Sequence, residues 1–349
     1  MPLVIESGRV PRRWAERVAA RPLGARLDLR EVRPQCLTLA FVNNMPDTAL
    51  EATELQFFEL IDAASEDIPV VLKLYSLPGV PRSVPARRHL DGFYFGISDL
   101  WDNPSDALIV TGTEPQRTNL RDEPYWTSLA DVFDWGAENT LSTVLSCLAA
   151  HASVLHSHGI QRHPLVQKRC GIFDHDVMSD HWLVRGAPDR LSIPHSRWNE
   201  VRRDELTQCG YTVLTESADA GVDLFVKQHK RSLFLHFQGH PEYAALTLLK
   251  EYRRDIGRFL RRERDQYPSM PQGYFDAAAT RAMTTYQETV SQNRSEDLFT
   301  SFPETLVADT LENSWRASAL RIFRTWLLHI AAEKAAGGQR ISDLAHIAL

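Results

Sequence analysis

Short apolar runs alternate with amphipathic segments along most of the chain. A run with little alternation is typical of a strand buried on both faces, and five such runs occur, at residues 36–42, 70–75, 107–111, 142–146 and 233–237. Apolar residues at helical spacing predict helices at 49–64, 125–139, 148–158 and 247–263, and a C-terminal helix that begins near residue 315. This alternation predicts an α/β fold in which helices flank a mostly parallel sheet.

The same pattern divides the chain into segments. Residues 1–34 are rich in Arg and Pro, and we expect an arm or a surface helix there. Residues 35–265 are expected to form the α/β domain, although 160–232 show only short β-like pieces. Residues 266–312 are largely polar and predict an insertion or loop, whereas 313–349 predict a helix that packs on the main domain.

Composition limits the class of protein. The chain has 349 residues, of which 43% are hydrophobic and 24% are charged, and its formal net charge is −6. This composition excludes disorder as the main state, and the absence of a basic excess argues against a nucleic-acid partner. No apolar run approaches the length of a membrane-spanning helix, and the N-terminal residues lack the apolar core of a secretory signal. We therefore expect a cytoplasmic protein without a membrane partner.

Four scattered cysteines raise the question of a nucleophile. Cys36, Cys147, Cys170 and Cys209 form no C-x-x-C motif, which favours reduced thiols over a disulfide scaffold. Cys147 directly follows an apolar run and precedes a helical segment. A nucleophile on such a strand-to-helix turn, here called the elbow, exposes its side chain where ligands bind, and a helix N-terminus lowers the pKa of a thiol. The alternative is a buried, inert cysteine.

A second candidate group follows the last predicted strand. His240 and Glu242 lie in the run Gly-His-Pro-Glu-Tyr at 239–243. A cysteine nucleophile needs a base, and the base needs a carboxylate that orients it. Taken alone, the two residues are equally consistent with a loop histidine and a solvated carboxylate. Together with Cys147 they fit one set of nucleophile, base and orienting group.

Several motifs carry a resemblance to a known family. The matching runs are Asn-Met-Pro at 44–46, Val-Thr-Gly at 110–112, Tyr-Trp at 125–126, Pro-His-Ser-Arg at 194–197 and Gly-His-Pro-Glu-Tyr at 239–243. With the elbow they resemble the homoserine O-acyltransferases of methionine biosynthesis, usually named homoserine O-succinyltransferases. The resemblance implies a flavodoxin-like sheet of the class I glutamine amidotransferase-like fold, with helical N- and C-terminal additions. It also implies a homodimer.

The resemblance assigns roles to individual residues. It implies that Cys147 accepts the acyl group, that His240 is the general base and that Glu242 orients it. The backbone N–H of Leu148 and the loop at Thr113 would form the oxyanion hole. The residues implied to contact substrate are Lys168, Ser196, Glu251 and Arg254. The acyl group would come from an acyl-CoA cosubstrate, which is either succinyl-CoA or acetyl-CoA. The resemblance implies no permanently bound cofactor.

The chain departs from the family pattern at positions that concern the acyl group, and so resembles a divergent member. Asp47 and Thr48 follow the Asn-Met-Pro run where the family commonly has lysines. Gln116 stands where the family has Gly for succinyl or Glu for acetyl, and the adjacent Arg117 is a candidate partner for a succinyl carboxylate. We expect a succinyl rather than an acetyl donor.

Two other functions stay open at this point. A glutaminase or amidohydrolase of the same fold would also use an elbow cysteine, and a non-catalytic binding protein could retain the fold. Histidines cluster in sequence near Cys147 and Cys170, but their spacing matches no structural zinc pattern, and no metal is expected. The chain contains neither G-x-G-x-x-G nor a P-loop motif, so nothing supports a dinucleotide or P-loop site.

Overall fold

The computed structural model describes residues 3–6, 11–19 and 36–347. The strands are β1 (Leu3–Glu6), β2 (Leu37–Val42), β3 (Val70–Tyr75), β4 (Ala107–Val110), β5 (Ser142–Ser146), β6 (His163–Val177), β7 (Arg190–Glu200), β8 (Thr212–Val213), β9 (Thr215–Ser217), β10 (Gly221–Val222), β11 (Leu224–His229) and β12 (Ser232–Phe237). The α-helices are α1 (Arg12–Ala19), α2 (Leu50–Ser65), α3 (Val84–Phe93), α4 (Ile97–Asp102), α5 (Trp126–Asn139), α6 (Leu148–His158), α7 (Arg203–Gln208), α8 (Thr247–Leu260), α9 (Ala277–Gln292), α10 (Glu304–Ala308) and α11 (Arg316–Ile347). Short 3₁₀ helices span Leu120–Asp122 and Glu296–Ser301.

The larger of the two sheets has eight strands in the order β1-β3-β2-β4-β5-β12-β11-β8. The neighbouring strands in β1-β3-β2-β4-β5-β12 all pair in parallel. β11 pairs antiparallel with β12, and β8 pairs antiparallel with β11. Strands β3-β2-β4-β5-β12 follow the flavodoxin-like order 2-1-3-4-5, in which ligands bind beyond the carboxyl ends of the strands. The predicted fold class, a mostly parallel sheet flanked by helices, is confirmed.

Helices cover both faces of this sheet. On one face, apolar residues of α2 and α11, among them Phe57 and Trp326, pack in one buried cluster with the strands. On the other face, α5 and α6 pack through residues such as Phe133 and Ala149. Burial on both faces explains why most residues of β2, β3, β4 and β12 are apolar. The helices predicted from apolar spacing are present, with ends that differ by a few residues from the expected bounds.

A second, four-stranded sheet was not anticipated from the sequence. It runs in the order β10-β9-β6-β7 with antiparallel pairing, and β6 and β7 form its long central pair. The expectation of only short β-like pieces at 160–232 was therefore wrong. Alternate positions of β7 are buried, but two of them hold His195 and Arg197. These polar residues break the apolar alternation that would have indicated a strand.

The N-terminal segment forms more than an arm or a surface helix. β1 pairs in parallel with β3 at the edge of the larger sheet, and Leu3 is fully buried. α1 follows, with Trp14 packed edge-on against Phe58 of α2. A four-residue strand with two buried apolar side chains is too short for its sequence pattern to be distinguished from that of a loop. The remainder of 1–34 lies outside the described residues.

The polar segment expected as an insertion or loop also forms helices. α9 occupies 16 residues of it, and α10 and a 3₁₀ helix follow. Asp276 caps α9 by accepting a hydrogen bond from the N–H of Ala279 at 2.7 Å. The helix buries only a narrow stripe, including Met283 and Val290, among Thr, Gln and Glu. This narrow stripe explains why the segment reads as polar. The predicted C-terminal helix is present as α11.

Candidate active site

Cys147 occupies the elbow between β5 and α6. Its backbone has φ +51° and ψ −108°, a left-handed conformation that side-chain-bearing residues rarely adopt. Its N–H donates a hydrogen bond to the carbonyl oxygen of Phe237, the last residue of β12, at 2.7 Å. This bond ties the ends of two adjacent parallel strands together. The half-buried thiol of Cys147 therefore lies beside the loop that follows β12.

That loop carries His240 and Glu242, which form a close pair. The Nδ1 atom of His240 lies 2.8 Å from Oε1 of Glu242, and both side chains are buried. Cys147 lines the same cavity as His240 and Glu242, and its charge acts on the imidazole. The ring of His240 stacks on Tyr243, with centroids 4.2 Å apart and an interplanar angle of 17°. The structure thus brings together the three residues that the sequence predicts as nucleophile, base and orienting group.

The charge environment of His240 favours its protonated form. Burial lowers the pKa of the imidazole, but the negative charges of Glu242 and Cys147 outweigh this effect and raise the pKa well above its ordinary value. An imidazolium beside a cysteine stabilises the thiolate, which is the reactive form of the nucleophile. The pair is therefore arranged for nucleophilic chemistry.

A buried carboxylate behind the loop fixes the position of His240. Asp223 is almost completely buried, and its Oδ1 accepts a hydrogen bond from the N–H of Gly239 at 2.7 Å. The N–H of His240 donates to the carbonyl oxygen of Pro194 in β7 at 2.8 Å. A Cβ atom on Gly239 would lie 2.7 Å from Ile193, so the loop approaches β7 too closely for another residue. No motif in the sequence indicates this role for Asp223.

Two backbone segments meet where an oxyanion would develop. Leu148 is the first residue of α6, so its N–H has no partner within the helix. Gly112 follows β4 and passes so close that a Cβ on it would lie 2.9 Å from the nitrogen of Leu148. Thr113 is half-buried and lines the same cavity as Cys147. The geometry is compatible with an oxyanion hole that uses the backbone of Leu148 and of the loop at Thr113.

A cavity of about 300 Å³ adjoins the catalytic residues and contains the residues implied to contact substrate. Lys168, Ser196, Glu251 and Arg254 all line it, together with Cys147. Glu251 is half-buried on α8 and accepts a hydrogen bond from the hydroxyl of Tyr243 at 2.8 Å and another from the hydroxyl of Ser196. Burial raises the pKa of Glu251, but the positive charges of Lys168 and Arg254 lower it by more than burial raises it. The pKa of Glu251 therefore lies below its ordinary value. Glu251 is therefore ionised at neutral pH.

Lys168 and Arg254 share a second carboxylate on α8. The Nζ atom of Lys168 lies 2.7 Å from Oδ2 of Asp255 and 3.6 Å from Oε2 of Glu251. Two nitrogens of the Arg254 guanidinium each lie 3.2 Å from Oδ1 of Asp255. Asp255 is thus a residue of the site that the sequence analysis missed, because single acidic residues on a charged helix carry no distinctive signal. It holds both cations at the cavity wall.

The acyl-choice candidates lie outside this cavity. Gln116 and Arg117 are exposed, and their backbone N–H groups both donate to Oε1 of Glu123 at 2.6 Å. Neither residue is among those that line the cavity, whereas Glu114 of the same loop is. Arg162 lines the cavity instead, and its guanidinium donates to the carbonyl oxygen of Thr118 at 3.3 Å. The structure therefore brings Arg162, and not Arg117, to the site.

Asp47 has a local structural role. It lies just beyond Met45 and Pro46, which line the cavity. Its Oδ2 accepts a hydrogen bond from the N–H of Ser83 at 2.7 Å, and its Oδ1 lies 3.4 Å from the guanidinium of Arg82. Asp47 thus fastens the loop that ends in Pro46 to the start of α3.

Cys170 is the second cysteine near the site. It lies on β6 and is buried beside Lys168. Burial raises the pKa of the Cys170 thiol to about 12, so this residue stays protonated at neutral pH. Cys36 is buried and Cys209 is half-buried, and neither lines the cavity. Among the four cysteines, Cys147 alone combines the elbow with a base.

In the described part of the chain, no group of three or more His, Cys, Asp or Glu side chains lies in an arrangement that could hold a metal ion. Within the same residues, no helix is long and apolar enough to cross a membrane.

Comparison with known proteins identifies the family. The family model of homoserine O-succinyltransferase matches residues 26–336. The chain belongs to the homoserine O-succinyltransferase family. It is 42% identical to the homoserine O-succinyltransferase of Rhodopseudomonas palustris over 304 residues, which cover 87% of this chain and 91% of the relative. It is 44% identical to that of Methylorubrum extorquens over 293 residues, 83% of this chain and 86% of the relative.

Family membership settles the enzyme class. Relatives such as the homoserine O-succinyltransferase of Bradyrhizobium japonicum, 42% identical over 305 residues, are named as acyltransferases. The predicted class, an acyltransferase of this family, is confirmed. Among solved structures, a glutamine amidotransferase from Methylobacillus flagellatus matches 84% of this chain and 94% of its own, at 14% identity and a TM-score of 0.47. That similarity is too low to add an argument about the mechanism of this family member.

Proposed function

We propose that this protein transfers a succinyl group from succinyl-CoA to the hydroxyl group of homoserine, through a thioester on Cys147. One observation carries the proposal. The Cys147–His240–Glu242 set opens onto the same cavity as a half-buried, ionised Glu251 and the cations Lys168 and Arg254. The family match and the named relatives support the succinyl donor and the homoserine acceptor.

The first half of the reaction loads the enzyme. The Cys147 thiolate attacks the thioester carbonyl of succinyl-CoA, and the N–H groups of Leu148 and the loop at Thr113 stabilise the oxyanion. The carbon–sulfur bond to CoA breaks, and the CoA thiolate takes the proton that His240 holds. The products are a succinyl thioester on Cys147, free CoA and a neutral imidazole. One thioester replaces another, so the step is nearly balanced in energy.

The second half delivers the succinyl group to the acceptor. Neutral His240 removes the proton from the homoserine hydroxyl as its oxygen attacks the Cys147 thioester. The carbon–sulfur bond breaks and the Cys147 thiolate forms again, now beside a protonated His240. Glu242 holds the imidazole in position throughout, because its carboxylate lies 2.8 Å from Nδ1. The product is an O-succinyl ester of the amino acid.

The charges of the cavity fit an amino acid as the acceptor. A zwitterion needs an anion for its ammonium group and a cation for its carboxylate. Glu251 supplies the anion. Arg254, whose side chain is 39% exposed, supplies a guanidinium that can grip a carboxylate with two hydrogen bonds. Ser196 and Lys168 both contact Oε2 of Glu251 and complete the polar wall.

Intact-mass measurement with acyl donors tests the proposal. Incubation of the protein with succinyl-CoA alone is expected to add the mass of one succinyl group, and addition of homoserine is expected to remove it. Cys147→Ala should carry no adduct. Cys209→Ala, which changes another half-buried cysteine away from the cavity, should still be acylated. Release of ammonia from glutamine without an adduct would contradict the proposal and favour a glutaminase.

The proposal extends to donor, assembly and location. We propose that succinyl-CoA is preferred over acetyl-CoA, that the enzyme acts in methionine biosynthesis in the cytoplasm, and that it is a homodimer, as the family resemblance implies. Parallel rates with both donors would test the preference. Sedimentation velocity would test the dimer, since a single species with the mass of one chain would exclude it.

A further inference from the structure

A second cavity, here called the side groove, adjoins the catalytic cavity. It has a volume of about 440 Å³ and lies between the start of β6 and the segment 264–269. Lys168, Trp198 and Arg264 line both cavities. The two cavities therefore share a wall, and a long ligand can occupy both at once while its reactive end lies at Cys147.

An irregularity in the smaller sheet opens the side groove. In the pairing of β6 with β7, Pro164 lies opposite Asn199 and Arg169 lies opposite Arg197. The four residues 165–168 of β6 are therefore opposed by Trp198 alone. Such a bulge lifts the strand away from its partner, and bulges are frequent beside active sites. Here it leaves Val166 completely exposed and Trp198 46% exposed.

Trp198 and Arg264 give the groove an aromatic and cationic surface. The guanidinium of Arg264 lies over the Trp198 ring, 5.3 Å from its centroid. Arg264 is exposed and, within the described part of the chain, forms no ion pair with a carboxylate. Asp255 also lines the groove, but Lys168 and Arg254 pair with it. Asp265 lines the groove as well, and Arg264 is the cation of the groove that its described ion pairs leave available to an anionic ligand.

We propose that the side groove binds the adenine nucleotide end of the acyl-CoA donor, with the base against Trp198 and phosphate at Arg264. The inference rests on the proposed acyl-CoA chemistry. A base stacks favourably on an exposed aromatic ring, and a guanidinium binds phosphate with charge-assisted hydrogen bonds. The shared wall leaves the pantetheine arm a path from the groove to Cys147.

Two donors that share a reacting group but differ in the nucleotide test the groove. Succinyl-CoA carries the nucleotide, and S-succinyl-N-acetylcysteamine lacks it. For Trp198→Ala and for Arg264→Ala, the loss of kcat/KM is expected to be about tenfold larger with succinyl-CoA than with the short thioester. A tenfold difference corresponds to about 1.4 kcal/mol. Most of it should appear in KM, because the groove lies away from the reacting atoms.

The chain offers matched controls. Trp101 is another exposed tryptophan, at 39%, and it packs edge-on against Trp135 away from both cavities. Arg261 is an exposed arginine near Arg264 that pairs with Glu263. Trp101→Ala and Arg261→Ala should leave the ratio between the two donors at the wild-type value. Equal losses with both donors in Trp198→Ala, or no loss with either, would overturn the proposal.

Binding of free CoA separates this inference from the proposed function. Calorimetric titration of the full chain with CoA should give about tenfold weaker binding for Trp198→Ala than for Trp101→Ala. If the wild-type protein forms no acyl adduct on Cys147 while Trp198→Ala still binds CoA more weakly than Trp101→Ala, the proposed transfer is contradicted and the proposed nucleotide site is supported. If the adduct forms and both variants bind CoA equally, the proposed nucleotide site is contradicted and the proposed transfer is supported.

Discussion

Glu242 controls the charge state of His240. The carboxylate lies 2.8 Å from the imidazole and, with Cys147, raises the pKa of His240 despite burial. The imidazolium is lost as pH rises through that pKa, so any change that lowers the pKa moves the loss to lower pH. Because the thiolate and imidazolium interact, the limbs of the pH profile belong to the Cys147–His240 pair rather than to either residue.

Glu242→Gln is therefore expected to shift the alkaline limb of kcat/KM to lower pH. Gln keeps a hydrogen-bond acceptor but removes the charge, and activity at neutral pH should fall by about 10²–10⁴-fold, the range for general acid–base groups. Rates of acylation by succinyl-CoA measured across pH check this. Glu205→Gln removes a carboxylate that lies 2.7 Å from His163 outside the site, and it should leave the profile in place. An unshifted alkaline limb in Glu242→Gln would refute the assignment.

Arg162 is a cation of the catalytic cavity that can bind the succinyl carboxylate. It lines the catalytic cavity, the charge of Cys147 influences it, and its hydrogen bonds in the described structure go to backbone carbonyls. Arg162→Met is expected to raise KM for succinyl-CoA at least about tenfold more than KM for acetyl-CoA, because a charge-assisted hydrogen bond contributes about 1.5–3 kcal/mol. Steady-state rates with both donors measure the ratio. Equal effects would indicate a purely structural role, and Arg185→Met, at an exposed pair with Asp180, is the control.

At the residue scale, the sequence indicated groups that follow strands and missed groups that meet only in space. Cys147 and His240 each lie just past an apolar run, so a parallel sheet had to bring them to one edge. Asp223 lies between Val222 and Leu224, and Asp255 lies in a charged helical segment, so neither is part of a recognisable motif. Their importance comes from their contacts with Gly239 and Lys168, which spacing in the sequence does not reveal. Gln116 was singled out by family position, and the fold turns it toward solvent.

At the element scale, α9 is the clearest case in which tertiary packing stabilises a helix in a segment of largely polar composition. Its buried residues Ala279, Met283, Tyr286 and Val290 follow helical spacing, and they pack against α8 residues and Trp315 in one cluster. In the sequence this stripe is diluted by Thr, Gln and Glu. Trp315, which lies just before α11 and packs in the same cluster as α9, supports the catalytic loop because its Nε1 donates a hydrogen bond to the carbonyl oxygen of Tyr243 at 2.9 Å.

Met283→Ala tests whether α9 is part of the folded core. Met283 is fully buried, and truncation of such a side chain costs about 2–5 kcal/mol of the free energy of unfolding. Urea unfolding followed by circular dichroism should show that loss. Thr285→Ala, at an exposed position of the same helix, should change the free energy of unfolding by less than about 0.5 kcal/mol. Equal midpoints for the two variants would mean that the segment is the loop that its composition suggests.

At the scale of the whole molecule, the larger sheet was predictable and the additions were not. The five central strands are covered on both faces, so their apolar runs identify them without reference to neighbours. β1 depends on a partner distant in the chain, and the buried polar residues of β7 interrupt the apolar alternation of the β6–β7 pair. The charge distribution shows a similar contrast. The chain has a net charge of −6, yet six cationic residues against three carboxylates line the catalytic cavity: Arg162, Lys168, Arg197, Arg254, Arg258 and Arg264 against Glu114, Glu242 and Glu251.

This local excess of positive charge predicts a salt dependence that differs between donors. A concave site of one sign concentrates ligands of the opposite sign, and mobile ions weaken the effect. Raising NaCl from about 20 mM to about 500 mM is expected to lower kcat/KM for polyanionic succinyl-CoA by about tenfold. The uncharged S-acetyl-N-acetylcysteamine should respond far less, because it gains nothing from the cationic wall. Rates of Cys147 acylation by each donor across the salt series measure both effects. Equal losses would show that salt acts on the enzyme as a whole, whereas a difference would locate the dependence in the attraction between the donor and the arginine-lined cavity.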